Sequence, residues 1–114
     1  MVKIYHNPRC RKSREGLALL ETSGKPFDVV RYLDNPITET ELKDLLNMLG
    51  ISPIQLVRQQ EAVWKSEFRG KDLSDQAIIN ALLQYPKLME RPIVVYNGKA
   101  VIARPPEAIS ELLD

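Results

Sequence analysis

The segment spanning residues 1–30 constrains the fold more than any other part of the chain. Val2, Ile4 and His6 alternate with Lys3 and Tyr5, the two-residue period of a short strand, and Asn7-Pro8 stops it. From Cys10 the period lengthens: Leu17, Leu19 and Leu20 give a helix its apolar side, and Gly24 suits its C-cap just before Pro26. Phe27, Val29 and Val30 then form a second strand. A strand, a helix and a strand in that order read as a βαβ unit, because parallel strands need a crossover and the helix supplies it.

The remainder completes the pattern. Asn35-Pro36 breaks the chain, and Thr38-Glu39-Thr40-Glu41 is a capping box that predicts a helix bearing Leu42, Leu45, Leu46 and Leu49, closed by Gly50. Residues 51–73 mix Pro53, Trp64, Gly70 and many charges, which predicts short helical turns and loops. Ser74 caps a further helix carrying Ile78, Ile79, Leu82 and Leu83, which ends before Pro86. Residues 93–96 and 99–103 flank Asn97-Gly98, the strongest two-residue hairpin signal, and Pro105-Pro106 suit the first turn of a last helix with Ile109, Leu112 and Leu113. A βαβ unit, an all-helical insertion over about 37–88, a β-hairpin and a C-terminal helix make the order of an α/β thioredoxin-like fold in one domain, 1–114.

Composition narrows the function. The 114 residues carry 16 Lys plus Arg against 15 acidic groups, so a net charge of +1 predicts no nucleic-acid partner. No stretch approaches the roughly 20 apolar residues of a membrane span, and the N-terminus lacks the apolar run of a secretory signal, so the expected location is cytoplasmic. One Cys excludes an internal disulfide, and one Cys with one His cannot make a usual zinc site. No metal and no bound cofactor are expected.

Cys10 is therefore the chemistry-bearing residue to weigh. A lone cysteine is often a small buried apolar residue. This one stands where a helix begins, where unpaired backbone N–H groups and the helix dipole favour a thiolate. Arg9, Arg11, Lys12 and Arg14 surround it in sequence and add to the same bias. Cys10-Arg11-Lys12-Ser13 is C-x-x-S, so a self-contained dithiol cycle is impossible. Gly16 occupies the position where a C-x5-R phosphate loop needs arginine, which removes the tyrosine-phosphatase reading.

Taken with LVRQQE at 56–61, RPIVV at 91–95 and ARPPE at 103–107, the opening HNPRCRKSR resembles the glutaredoxin-coupled arsenate reductase family over essentially the whole chain. The resemblance implies that Cys10 attacks arsenate and that Arg58, Arg91 and Arg104 surround the oxyanion and the thiolate. It implies thiolate-assisting roles for His6 and Ser13, and a cis peptide before Pro92, opposite the cysteine. Glutathione as co-substrate and glutaredoxin as partner follow from the same resemblance. Guanidinium forks suit a tetrahedral oxyanion. Each arginine also has a plain alternative as a surface charge.

Two other functions stay open. A glutathione-dependent thiol reductase of the same family would use Cys10 without arsenic. A regulator resembling the Spx proteins would bind RNA polymerase, although those usually present C-x-x-C and this chain has Ser13 in the second position.

Overall fold

The β-branched and aromatic run at the N-terminus forms β1 (Val2–Tyr5), followed by α1 (Arg11–Thr22) and β2 (Phe27–Val30). The computed structural model describes residues 1–114 and divides into two units, Met1–Asn35 with Arg91–Asp114, and Pro36–Glu90. The first unit adds β3 (Ile93–Tyr96) and β4 (Lys99–Ile102). The helical unit contains α2 (Glu39–Leu49), α3 (Ala62–Glu67) and α4 (Asp75–Gln84), and the chain closes with α5 (Ala108–Leu113).

In the first unit the sheet order is β2-β1-β3-β4. β1 pairs parallel with β2, Val2 opposite Phe27 and Tyr5 opposite Val30, and antiparallel with β3, Ile4 opposite Val94. β3 and β4 form the hairpin, with Tyr96 opposite Lys99. Asn97 (φ 52°) and Gly98 (φ 74°) both adopt the left-handed conformation that such a tight turn requires. Val2, Ile4, Leu20, Val94, Ala103 and Ile109 make one apolar cluster, against which Leu17, Leu112 and Leu113 pack. Burying each of the Val, Leu and Ile side chains of the cluster stabilises the fold by about 1.5 to 3 kcal/mol before entropy is counted. The alternation expected along β1 is incomplete, because Tyr5 is buried as well as Val2 and Ile4.

The helical unit follows its caps. The Thr38 side chain accepts the Glu41 N–H at 3.1 Å, and Gly50 (φ 68°) ends α2 in the left-handed region. Ser74 accepts the Ala77 N–H at 3.2 Å at the start of α4. Between them lie a 3-10 turn at Pro53–Leu56 and the short α3, and an isolated antiparallel bridge joins Val57 to Met89. Leu42, Leu45, Leu56, Trp64, Ile78, Leu82 and Leu88 are buried, and Trp64 stacks on Phe68 at 5.3 Å between ring centres.

One expectation fails. Pro105 and Pro106 are not in the first turn of the last helix, which starts at Ala108. The Arg104-Pro105 peptide is cis, and the two proline carbonyls instead accept the N–H groups of Ala108 and Ile109, both at 3.0 Å, in a turn that leads into α5. No helix is long and apolar enough to cross a membrane.

Candidate active site

The turn between β1 and α1 is built by its own residues. His6 donates its N–H to the Val30 carbonyl (2.9 Å), the last bond tying the chain to β2. The Asn7 carbonyl then accepts the Cys10 N–H at 3.0 Å, and Asn7 Oδ1 accepts the Arg9 N–H at 3.0 Å. Asn at the first and Pro at the second position suit such a turn, since the Asn side chain satisfies a local amide and Pro fixes φ. Cys10 is left as the N-cap of α1, with φ −96° and ψ 123°, its carbonyl accepting the Arg14 N–H at 3.0 Å.

An N-cap side chain usually supplies an oxygen to the amides of the second or third helical residue. Here a sulfur stands in that place. It makes no regular capping hydrogen bond, but the backbone N–H groups of Ser13 and Lys12 act on it. Burial pushes the partly exposed Cys10 thiol up. Hydrogen bonding from Arg91, the Ser13 amide, the Arg91 charge and the Lys12 amide together outweigh burial and hold it below its ordinary value.

The cation that matters is therefore distant in sequence. Arg11 and Lys12 turn instead to Glu15, at 3.2 Å and 3.9 Å, and Arg14 donates to the Pro8 carbonyl at 2.9 Å. The neighbouring basic run was expected to favour the thiolate; its side chains are exposed, and water screens exposed charges. Arg91 is only 7% exposed. Arg104 donates its Nε–H to the Arg91 carbonyl at 3.0 Å and brings Nη2 to 4.0 Å from Cys10 Sγ. That distance is the outer limit of a sulfur hydrogen bond, so Arg91 is the principal cationic partner of the sulfur and Arg104 a second, looser one that also braces Arg91. The peptide between Arg91 and Pro92 is cis, as expected from the motif.

Behind the sulfur, His6 and Ser13 form a buried pair, Nδ1 to Oγ at 2.7 Å, and Ser13 Oγ also accepts the Asn7 N–H at 2.9 Å. Burial lowers the His6 pKa, as does the Arg31 charge; a hydrogen bond with the Ser13 backbone raises it, and Arg14 lowers it further. The net shift is toward the neutral ring. Ser13 acts on the sulfur through its backbone amide, while its hydroxyl is committed to His6 and Asn7.

Arg58 belongs to the helical unit. Its N–H donates to the Leu88 carbonyl at 2.7 Å, next to the Val57–Met89 bridge, and its guanidinium lies 3.3 Å from Glu61 and 3.6 Å from Glu90. Two residues of the first unit were given no role at the site by the sequence. Asn7 shapes the turn, and its signal was present in Asn-Pro. Gly16 lies where an added Cβ would sit 2.7 Å from Pro92 Cγ, a closeness that nothing in the sequence marks.

This sheet order, with a cysteine at the mouth of the first helix and a cis proline at the head of the third strand, defines a thioredoxin-like domain with a single cysteine. The sequence pattern of the ArsC family matches residues 5–112, and the chain belongs to that family. It is 52% identical over 114 residues to the Escherichia coli (strain K12) protein named "Uncharacterized protein YfgD", covering 98% of this chain and 96% of that one. It is 43% identical over 114 residues to an arsenate reductase of Neisseria meningitidis, covering 98% and 97%. Among solved structures, an arsenate reductase from Vibrio cholerae superposes with a TM-score of 0.92 at 46% identity, covering 97% of this chain and 96% of that one.

Proposed function

We propose that the protein is an arsenate reductase that works through a Cys10 adduct and draws its electrons from external thiols, glutathione first and glutaredoxin after it. The observation that carries this reading is the sulfur of Cys10 at the N-cap of α1, acted on by the Arg91 guanidinium and approached by Arg104 at 4.0 Å. The names of the relatives at 43% and 46% identity support arsenate as the oxyanion.

The thiolate attacks arsenic in dihydrogen arsenate. A sulfur–arsenic bond forms, and one oxygen leaves as water after taking a proton, giving a Cys10–S–AsO3H⁻ adduct. The helix-start amides and the guanidiniums neutralise the charge that gathers on the oxygens. Arg58 is assigned a place among these oxyanion ligands by family resemblance alone. A glutathione thiol then attacks the Cys10 sulfur. The sulfur–sulfur bond forms as the sulfur–arsenic bond breaks, two electrons pass to arsenic, and arsenic(III) departs as dihydrogen arsenite carrying the thiol proton. The resulting Cys10–glutathione disulfide is reduced by glutaredoxin, which takes up the glutathione. A chain with one cysteine has no internal alternative.

The test is NADPH consumption in a mixture with glutathione, glutathione reductase and glutaredoxin, with and without arsenate. Consumption that requires arsenate and disappears in Cys10→Ser is expected. Consumption independent of arsenate would identify a thiol reductase, and arsenite production by Cys10→Ser would end the adduct mechanism.

A further inference from the structure

The turn that carries Cys10 is also one wall of a cavity that the reaction above leaves without a role. Its volume is about 410 Å³, and it runs from His6–Arg9 to Arg31, Leu33 and Asp34, the loop that leaves β2. That size is within the roughly 300–1,000 Å³ of small-molecule sites. Building on the proposed reaction, we infer that this cavity binds the peptide part of the external thiol. A zwitterionic amino-acid end would lie between Arg31 and Asp34, with Arg9 meeting a second carboxylate.

The charges argue for it. Arg9, Arg31 and Asp34 are exposed and form no ion pair within the chain, so all three are open to a ligand. Three charges without a partner face one cavity, two positive and one negative. A simple oxyanion would be repelled by Asp34 and is far smaller than the space. A ligand with one ammonium and two carboxylates complements all three. Guanidinium–carboxylate contacts are among the stronger hydrogen bonds, which makes Arg31 and Arg9 fitting anchors. His6, whose Nδ1 is taken by Ser13, has only Nε2 left to meet such a ligand, and Leu33, 38% exposed, offers an apolar surface for its methylenes.

The reach is right. The Asn7 carbonyl bond to the Cys10 N–H closes a turn, so the Cα atoms of these two residues are within about 7 Å. A peptide of three residues spans about 10 Å when extended. Seated in the cavity, it can bring a thiol to the sulfur of Cys10, where the second sulfur of the reaction is needed.

The probe is S-methylglutathione, which has the same charges but cannot react. Titrated into isotope-labelled protein, it is expected to shift the amide resonances of His6, Asn7, Arg9 and 31–34. Arg31→Ala should weaken its Kd tenfold or more, the equivalent of about 1.4 kcal/mol. Asp34→Ala should weaken binding of the probe but not of its N-acetyl derivative, which has no ammonium. In the coupled assay Arg31→Ala should raise the KM for glutathione about tenfold and leave the KM for arsenate within twofold. Shifts confined to the Pro92–Ile93 segment, or variants that bind as the wild type does, would overturn the assignment. Binding as described in a protein that never reduces arsenate would instead remove the reaction and leave the cavity's ligand standing.

Discussion

Replacing Gly16 by Ala tests whether the site depends on how closely α1 approaches Pro92. An added Cβ would lie 2.7 Å from Pro92 Cγ and 3.5 Å from Ile109 Cδ1, and real Cβ contacts essentially never fall under 3.0 Å. Carbon atoms prefer about 3.5–4.0 Å, so helix and proline must part by about 1 Å. The neighbour is a ring atom, which cannot swing aside as the end of a long side chain would. In a helix interior, Ala is favoured over Gly by about 1 kcal/mol. Overpacking a core contact costs about 1 to 3 kcal/mol. The net expectation is a loss of about 1 kcal/mol, or about 5 °C in Tm. Pro92 is bonded to Arg91, so its displacement carries the guanidinium away from the sulfur. A misplacement of about 1 Å can cost up to 100-fold in rate. Thermal unfolding by circular dichroism, the rate of Cys10 alkylation against pH and arsenate turnover would be measured together. The alkylation midpoint should move up toward that of an ordinary thiol, and turnover should fall. Ala18→Gly, on the exposed side of α1, is the control that loses helix stability without touching Pro92. A Gly16→Ala protein that melts at or above the wild-type temperature, with an unmoved alkylation midpoint, would refute the reasoning.

Other expectations rest on single contacts. Thiolate absorbance should titrate below the range of an ordinary cysteine, and Arg91→Met should move the midpoint up by removing both the hydrogen bond and the charge, while Arg11→Met should not. The His6 pKa is depressed in the folded chain, so the unfolded chain takes up the proton more readily as pH falls below about 6.5. Stability present above that pH should therefore decline as pH drops through 6.5 toward the folded value, and His6→Gln should flatten this part of the melting-temperature profile. Thr38→Ala removes the acceptor of the Glu41 N–H and should cost about 1 kcal/mol in urea unfolding, with no effect on the Cys10 titration.

Periodicity and punctuation carried much of the fold. The βαβ opening, the capped α2 and α4, and the Asn97-Gly98 hairpin were all legible, because their signals are local: an apolar period, a cap, a residue that tolerates positive φ. Pro105-Pro106 misled because the same dipeptide that can open a helix can also fill a turn before one, and only the path of the chain from β4 into α5 separates the two. For the site, the position of Cys10 was legible at the helix start and the family resemblance named Arg58, Arg91 and Arg104, but the sequence does not show that Arg11 and Lys12 are turned to Glu15.

A side chain's identity and its place on an element are properties of the chain, and to that extent the sequence by itself determined a thiol at a helix start, with no second thiol to complete it. Which charge acts on that thiol is a question of distance and dielectric. Tertiary structure alone decided that Arg91 is buried and bonded toward the sulfur while Arg11 and Lys12 are turned to Glu15, that His6 is buried against Ser13, and that Gly16 leaves room for Pro92. Coulomb energies and contact forces depend on separation in space, which spacing along the chain does not encode.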